Sequence, residues 1–180
     1  MIIRHISRFV TGASLLAMAV VLAAPAAAQM AAAAGPPRLQ TALASDAGTL
    51  SDKFGGLAKA MAGKYDWKPG QGVRSVGDVF NLIVMENKML AALLTGAAPP
   101  ARGTPIAETQ MPEALGSSYA ALKTALAGLS DSDLSTKIKI FGMDSTKQGA
   151  AMMLLSDQHE HLGQSIAYAR SNGVVPPWSK

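Results

Sequence analysis

Asp157 and His161 stand four residues apart in Asp157-Gln158-His159-Glu160-His161, and their types and spacing are the chain's best opening for chemistry. On a helix they lie roughly 40° apart around the axis, so both side chains reach one point. A carboxylate and an imidazole so placed either hydrogen-bond each other or hold a divalent metal. A metal asks for at least a third ligand, and Glu86, beside Asn87, is the candidate from a different helix. His159 is about 200° from His161 around the axis and must face solvent, so His159-Glu160-His161 is not a chelate of sequence neighbours. The alternative is a buried His161 satisfied by Asp157, Gln158 or Ser165. Both readings stay open on these residues alone.

Other constellations are weak. The chain has three histidines and no cysteine, which excludes zinc-finger spacing, a thiolate site, a catalytic cysteine and a disulfide scaffold. Gly70-Gln71-Gly72 lacks the rest of any phosphate loop. No serine has a recognisable nucleophile setting. Met61, Met85, Met89, Met152 and Met153 read as core filler, not as a copper site. Trp67 and Trp178 pin loops or stack a ligand.

Four helices must position these residues. Leu39, Leu43, Ala47, Leu50, Phe54, Leu57 and Met61 step by three or four and make one apolar face, with Gly63 as its stop. A loop with Tyr65 and Trp67 follows, ended by Pro69 and Gly70. The second helix spans about 75–94, with Ser75 as N-cap, Asp78 in the first turn and Gly96 as its end. Its row is Val76, Phe80, Ile83, Leu90 and Leu94, interrupted by Asn87 and bordered by Glu86. Residues 96–111 are Pro-rich and irregular. The third helix starts near Pro112 and carries Leu115, Tyr119, Leu122, Leu126 and Leu129. Residues 136–141 alternate briefly but have no partner strand in sight. The fourth helix is expected to open on a capping box over 145–148 and to run to about Asn172, with Gly173 as C-cap. Its inner row is Ala151, Leu154, Gln158, His161, Ser165 and Tyr168. Val174-Val175-Pro176-Pro177-Trp178 is an extended tail, with Trp178 packed back on the body. The pattern is all-α, a four-helix bundle over 39–180. No linker is a tight hairpin, which leaves a crossover topology open.

The chain begins with Arg4, His5 and Arg8, then an uncharged apolar stretch from Phe9 to Leu22, then small residues ending in Ala26-Ala27-Ala28. This is the three-zone pattern of an export signal. Its apolar stretch spans about 21 Å as a helix, short of the ~30 Å hydrocarbon core. Residues 1–28 are therefore expected to be removed, 29–38 to be a flexible Ala-rich leader, and the mature protein to be periplasmic or secreted, with no membrane attachment. The whole chain holds 16 basic and 12 acidic residues, and losing Arg4 and Arg8 leaves a net of +2. That field is too weak, and export takes the chain too far from DNA, for a nucleic-acid partner. A homodimer is compatible with the sequence.

Two segments resemble the DinB-like superfamily. Tyr65-Asp66-Trp67-Lys68-Pro69 followed by Gly72-Val73-Arg74-Ser75-Val76 is similar to its helix 1–2 junction. The run from His159 to Trp178, with His-x-Gly-Gln, Tyr-x-Arg and Gly-Val-Val-Pro-Pro, is similar to its last helix and tail. The resemblance implies a four-helix bundle with a crossover between helices 2 and 3. It also implies a divalent metal held by one histidine of helix 2 and an H-x-x-x-H pair in the last helix, used in related enzymes to activate a low-molecular-weight thiol. This chain departs from that pattern. His161 matches the final histidine, Asp157 replaces the earlier one, and Leu82 stands at the helix 2 position. Glu86, one turn on, is the substitute.

The favoured expectation is thus an exported DinB-like bundle, non-catalytic or binding a small ligand in a degenerate metal site. The alternative is a divalent-metal enzyme, with zinc or nickel on Asp157, His161 and Glu86, doing thiol-dependent transfer; export disfavours it, because such thiols are mainly cytosolic. Mass spectrometry of the protein from its native host should find a chain starting near Gln29. A chain retaining Met1 would refute the export reading.

Overall fold

The computed structural model describes residues 38–101 and 103–179. The expected export signal, and the expected leader up to Pro37, lie outside the described residues. Helix α1 spans Leu39–Ala60 and buries Ala47, Leu50, Phe54 and Leu57 along the expected face. Arg38 is already its N-cap, and its guanidinium pairs with Asp131 at 3.0 Å. Helix α2 spans Val76–Thr95. Ser75 accepts from the Asp78 N–H while the Asp78 carboxylate accepts from the Ser75 N–H, and these bonds hold the Asp78 carboxyl below its usual range. Gly96 ends the helix as expected.

A short 3-10 turn, Glu108–Gln110, leads into α3, Met111–Ala127, with Pro112 in its first turn. A one-turn α4, Asp131–Leu134, precedes strands β1, Lys137–Ile140, and β2, Met143–Thr146. Helix α5, Lys147–Ser171, ends at Asn172 before Gly173. No helix among the described residues is long and apolar enough to cross a membrane.

Helices α1 and α2 each pack on both α3 and α5. The connection after α2 runs back along that helix, because the Ile106 N–H donates to Asn81 Oδ1 at 2.8 Å, near the start of α2. Helix α3 therefore begins at the same end as α2 and runs parallel to it. The Gln40 amide donates to the Leu129 carbonyl at 3.0 Å, which puts the start of α1 beside the end of α3. The topology is up-down-down-up, with the crossover between the second and third long helices.

The core is built around Phe54. Its ring meets Phe80 edge-on and stacks on Tyr119, each at 6.3 Å, while Tyr65 meets Phe80 edge-on at 5.4 Å. Burial pushes the Tyr65 phenol up to about 12, and its hydroxyl donates to the Ala58 carbonyl. Gly77 lets the 61–75 loop close on α2: a Cβ there would meet the Tyr65 Cβ and carbonyl at 3.3 Å. The tail returns to α1, where Pro177 and Trp178 sit over Gly56 and the Lys53 ammonium lies 5.7 Å from the Trp178 ring centre.

Two local expectations are corrected. The alternating 136–141 stretch has a partner in β2, and the two strands pair antiparallel from Lys137–Thr146 to Ile140–Met143. Their two-residue turn is Phe141-Gly142, with φ of 51° and 80°, the positive values a type I′ turn requires. A left-handed phenylalanine costs roughly 1–3 kcal/mol, so the residue types hide the hairpin. The N-cap of α5 is Thr146, whose hydroxyl accepts from the Gly149 N–H at 3.0 Å, and not a box over 145–148. Ser145 is held extended by its pairing with Ile138 and cannot open the helix.

A polar chain crosses this apolar core. Ser118 Oγ donates to the Leu115 carbonyl, Asn87 Nδ2 to Ser118 Oγ, Gln158 Nε2 to Asn87 Oδ1, and the Tyr119 hydroxyl to Gln158 Oε1, all within 2.8–3.0 Å. All four side chains are buried. Burial also pushes the Tyr119 phenol far above its usual range. Replacing Asn87 by Ala strips Gln158 of an acceptor and Ser118 of a donor, and should cost about 1–3 kcal/mol in urea unfolding. A loss below about 0.5 kcal/mol, the scale of a neutral surface change, would show that the chain is not structural.

Candidate metal centre

The polar chain sets the register between α2 and α5. With Asn87 bonded to Gln158, the residues beside them, Glu86 and Asp157, are drawn together, and His161 follows one turn along α5. One ligand atom each from Glu86, Asp157 and His161 lie within 4.8 Å of one another. His161 Nε2 is 3.5 Å from Asp157 Oδ2. The site is graded in exposure: Glu86 is 5% exposed, the His161 side chain 16% and the Asp157 side chain 43%. It opens to solvent on the Asp157 side and closes at Glu86.

Glu86 is the anomalous member. Its Oε2 is buried without a hydrogen-bond partner. Burial, reinforced by the facing Asp157 carboxylate, pushes its carboxyl up to about 8, against a smaller opposing pull from Gln158 and Arg74. At neutral pH a proton stands where a cation would satisfy the same oxygens. Ser165, one turn beyond His161, also buries its Oγ without a partner.

On the other ring nitrogen, His161 Nδ1 is 2.9 Å from Gln164 Oε1. Gln164 Nε2 donates to the Tyr168 hydroxyl at 2.8 Å, and that hydroxyl donates to the Arg74 carbonyl at 3.2 Å. The Trp67 ring lies edge-on to Tyr168 at 5.2 Å, so the 61–75 loop is tied to this end of α5.

The three candidate ligands are thus brought together. His161 lies on the inner side, as expected, although it is half-buried and not fully enclosed. His159 is exposed, as expected, and pairs with Asp46 of α1 at 2.9 Å. Leu82 is not part of the cluster; it lines a groove of about 490 Å³ with Asn81, Met85, Lys88, Ile106 and Arg74. Tyr168 stands on the inner row with His161, as expected, whereas the pattern reading misses the places of Gln164 and Arg74 around the His161 ring. Gln164 carries a signal in hindsight, since it repeats the turn spacing of Asp157 and His161 on the same helix.

Two solved structures share this architecture. One is a DinB-like protein, YjoA, from Bacillus subtilis, with 18% identity, a TM-score of 0.62, and coverage of 73% of this chain and 91% of that one. This chain has the DinB-like fold. The second, a DinB-like protein from Bacillus cereus, agrees at 18% identity and a TM-score of 0.62, over 71% of this chain and 89% of that one. No family model matches the chain, and no curated protein matches it in sequence.

The residues of this DinB-like bundle fit a divalent cation. Two carboxylates and one imidazole are a mixed oxygen and nitrogen donor set, and the orphaned Glu86 oxygen is the group a cation would satisfy. The raised Glu86 pKa also has a consequence for the metal-free protein. A carboxyl raised in the folded state binds its proton more tightly there than when unfolded, so its contribution falls as pH rises from about 4.5 to about 8. Glu86→Gln should therefore gain on the parent chain as pH rises from 5 to 8 in chelator-treated samples, by an amount on the order of 3 kcal/mol. A difference in melting temperature that does not change with pH would refute the buried, proton-holding Glu86.

Proposed function

We propose that this chain is an exported DinB-like bundle that holds one divalent metal ion, zinc or nickel, on Glu86, Asp157 and His161, and offers that centre to a small-molecule ligand without thiol-transfer chemistry of its own. The observation that carries the reading is Glu86. An acidic oxygen buried without a partner, opposite a second carboxylate and an imidazole, is costly unless a proton or a cation sits there. A bound divalent ion would supply a Lewis-acid position to which a ligand's donor atom attaches. Glu86 and Asp157 together carry two negative charges when ionised, which cancel a divalent charge. A set of three neutral imidazoles would leave that charge whole. The residues here favour holding over strong polarisation, and so favour ligand binding over thiol activation. Asp157 sits at the open side and meets an incoming ion first, while Glu86 must release its proton for the ion to settle.

With its carboxyl raised to about 8, Glu86 holds its proton at neutral pH, and binding must displace it. Calorimetric titration of the untagged chain with zinc, in buffers of different ionisation enthalpy, should show one ion bound and its protons released. Glu86→Gln should bind at least ~10-fold more weakly and release about one proton fewer. Leu82→His should change affinity little, because Glu86 already supplies the ligand from α2. Absence of stoichiometric zinc and nickel binding, or binding indifferent to Glu86, would overturn the proposal.

A further inference from the structure

We propose that Gln164 and Tyr168 are positioning residues that hold neutral His161 as its Nδ1–H tautomer, so that the Nε2 lone pair faces Asp157 and Glu86. The Arg74 carbonyl can only accept. The Tyr168 hydroxyl, 3.2 Å away, must donate to it. The Tyr168 oxygen then accepts, and its partner at 2.8 Å is the Gln164 NH2 group. That fixes the amide, and turns Gln164 Oε1 toward His161 Nδ1 at 2.9 Å. An amide oxygen cannot donate, so the proton on that bond belongs to Nδ1. A neutral ring carries one such proton, and Nε2 is left with its lone pair.

The opposite tautomer fits worse. It would place a proton on Nε2, 3.5 Å from Asp157, well beyond a good hydrogen bond. It would also require the Gln164 amide to flip and the Tyr168 hydroxyl to turn from Arg74 toward Gln164, which leaves the carbonyl unpaired. The anchor itself is firm. The Val76 N–H donates to the Trp67 carbonyl at 3.0 Å and the Gly77 N–H to the Tyr65 carbonyl at 2.9 Å, so the backbone carrying Arg74 is bracketed. An imidazole free in water prefers the Nε2–H form, which cannot ligate through Nε2. The polar relay therefore prepares the nitrogen that faces the two carboxylates. The use made of that nitrogen rests on the metal reading above; the tautomer does not.

The test reads both ring nitrogens of His161 by long-range proton–nitrogen correlation in the 15N-labelled, chelator-treated chain, at a pH where the ring is neutral. Zinc affinity is measured on the same samples. The parent chain should show a protonated Nδ1 and a bare Nε2. Gln164→Met, which removes the acceptor, and Tyr168→Phe, which cuts the anchor but keeps the ring on Trp67, should both move the proton toward Nε2. Gln164→Met should weaken zinc binding ~10–100-fold, and Gln164→Glu, which still accepts from Nδ1–H, should restore most of the affinity and the parent tautomer. If Gln164→Met does not fold, Tyr168→Phe and Gln164→Glu decide. A protonated Nε2 in the parent chain, or a tautomer unmoved by these changes, overturns the proposal. A parent chain with the Nδ1–H form, shifted in Tyr168→Phe, that binds neither zinc nor nickel supports the relay and defeats the metal reading alone.

Discussion

The hydrogen bond from Gln158 to Asn87 is the constraint on which the rest of the candidate site depends. It joins α5 to α2 inside an otherwise apolar core, and the chain it belongs to continues through Ser118 and Tyr119 into α3. Apolar side chains tolerate a helix that slides or rotates by a fraction of a turn. Buried amides do not, because each must meet a partner of the right polarity. The direction of every bond here is set by its last acceptor, the Leu115 carbonyl. A bundle of long helices with a core mostly of Leu and Ala gains its register from these few polar atoms; of the methionines expected as core filler, Met61 is buried, whereas Met85, Met152 and Met153 are exposed.

That register has a cost, and the cost sits at the site. Setting Asn87 against Gln158 also sets Glu86 against Asp157, two acids on facing helices. The inner one cannot stay ionised at neutral pH without a counter-charge, and its carboxyl is pushed up to about 8. Elsewhere in the protein acids are arranged in the opposite sense. Asp78 and Asp133 cap helices, bonded by Ser75 and Ser130, and are held below their usual range. The contrast separates acids that organise the chain from Glu86, a buried acid with one oxygen left unpaired.

The loop between α1 and α2 serves both halves of this arrangement. Tyr65 closes the core under Phe80, and Trp67 braces Tyr168. The same stretch presents the Arg74 carbonyl from which the orientation of the His161 ring is fixed. A loop that reads as two aromatic anchors is therefore also the outer support of the site. The hairpin of β1 and β2 lies apart from it, buries only Ile140 among its strand residues, and delivers Thr146 to cap α5.

The sequence by itself determined the four long helices, their buried faces and most of their ends. Those features repeat at helical spacing or rest on single residues with local chemistry, such as Ser75, Pro112 and Gly96. It also singled out Asp157 and His161, because i and i+4 neighbours meet on any helix. The tertiary structure alone decided what faces them. Glu86 and Leu82 are one turn apart on α2, and only the rotation set by Asn87 turns the first into the cluster and leaves the second in a groove. The hairpin escaped notice because its turn uses a left-handed phenylalanine, which pairing across the strands tolerates and local preference does not. The His161 relay ends on a backbone carbonyl, and a carbonyl is the same in every residue. No pattern of side chains could announce that the one at Arg74 would be the anchor.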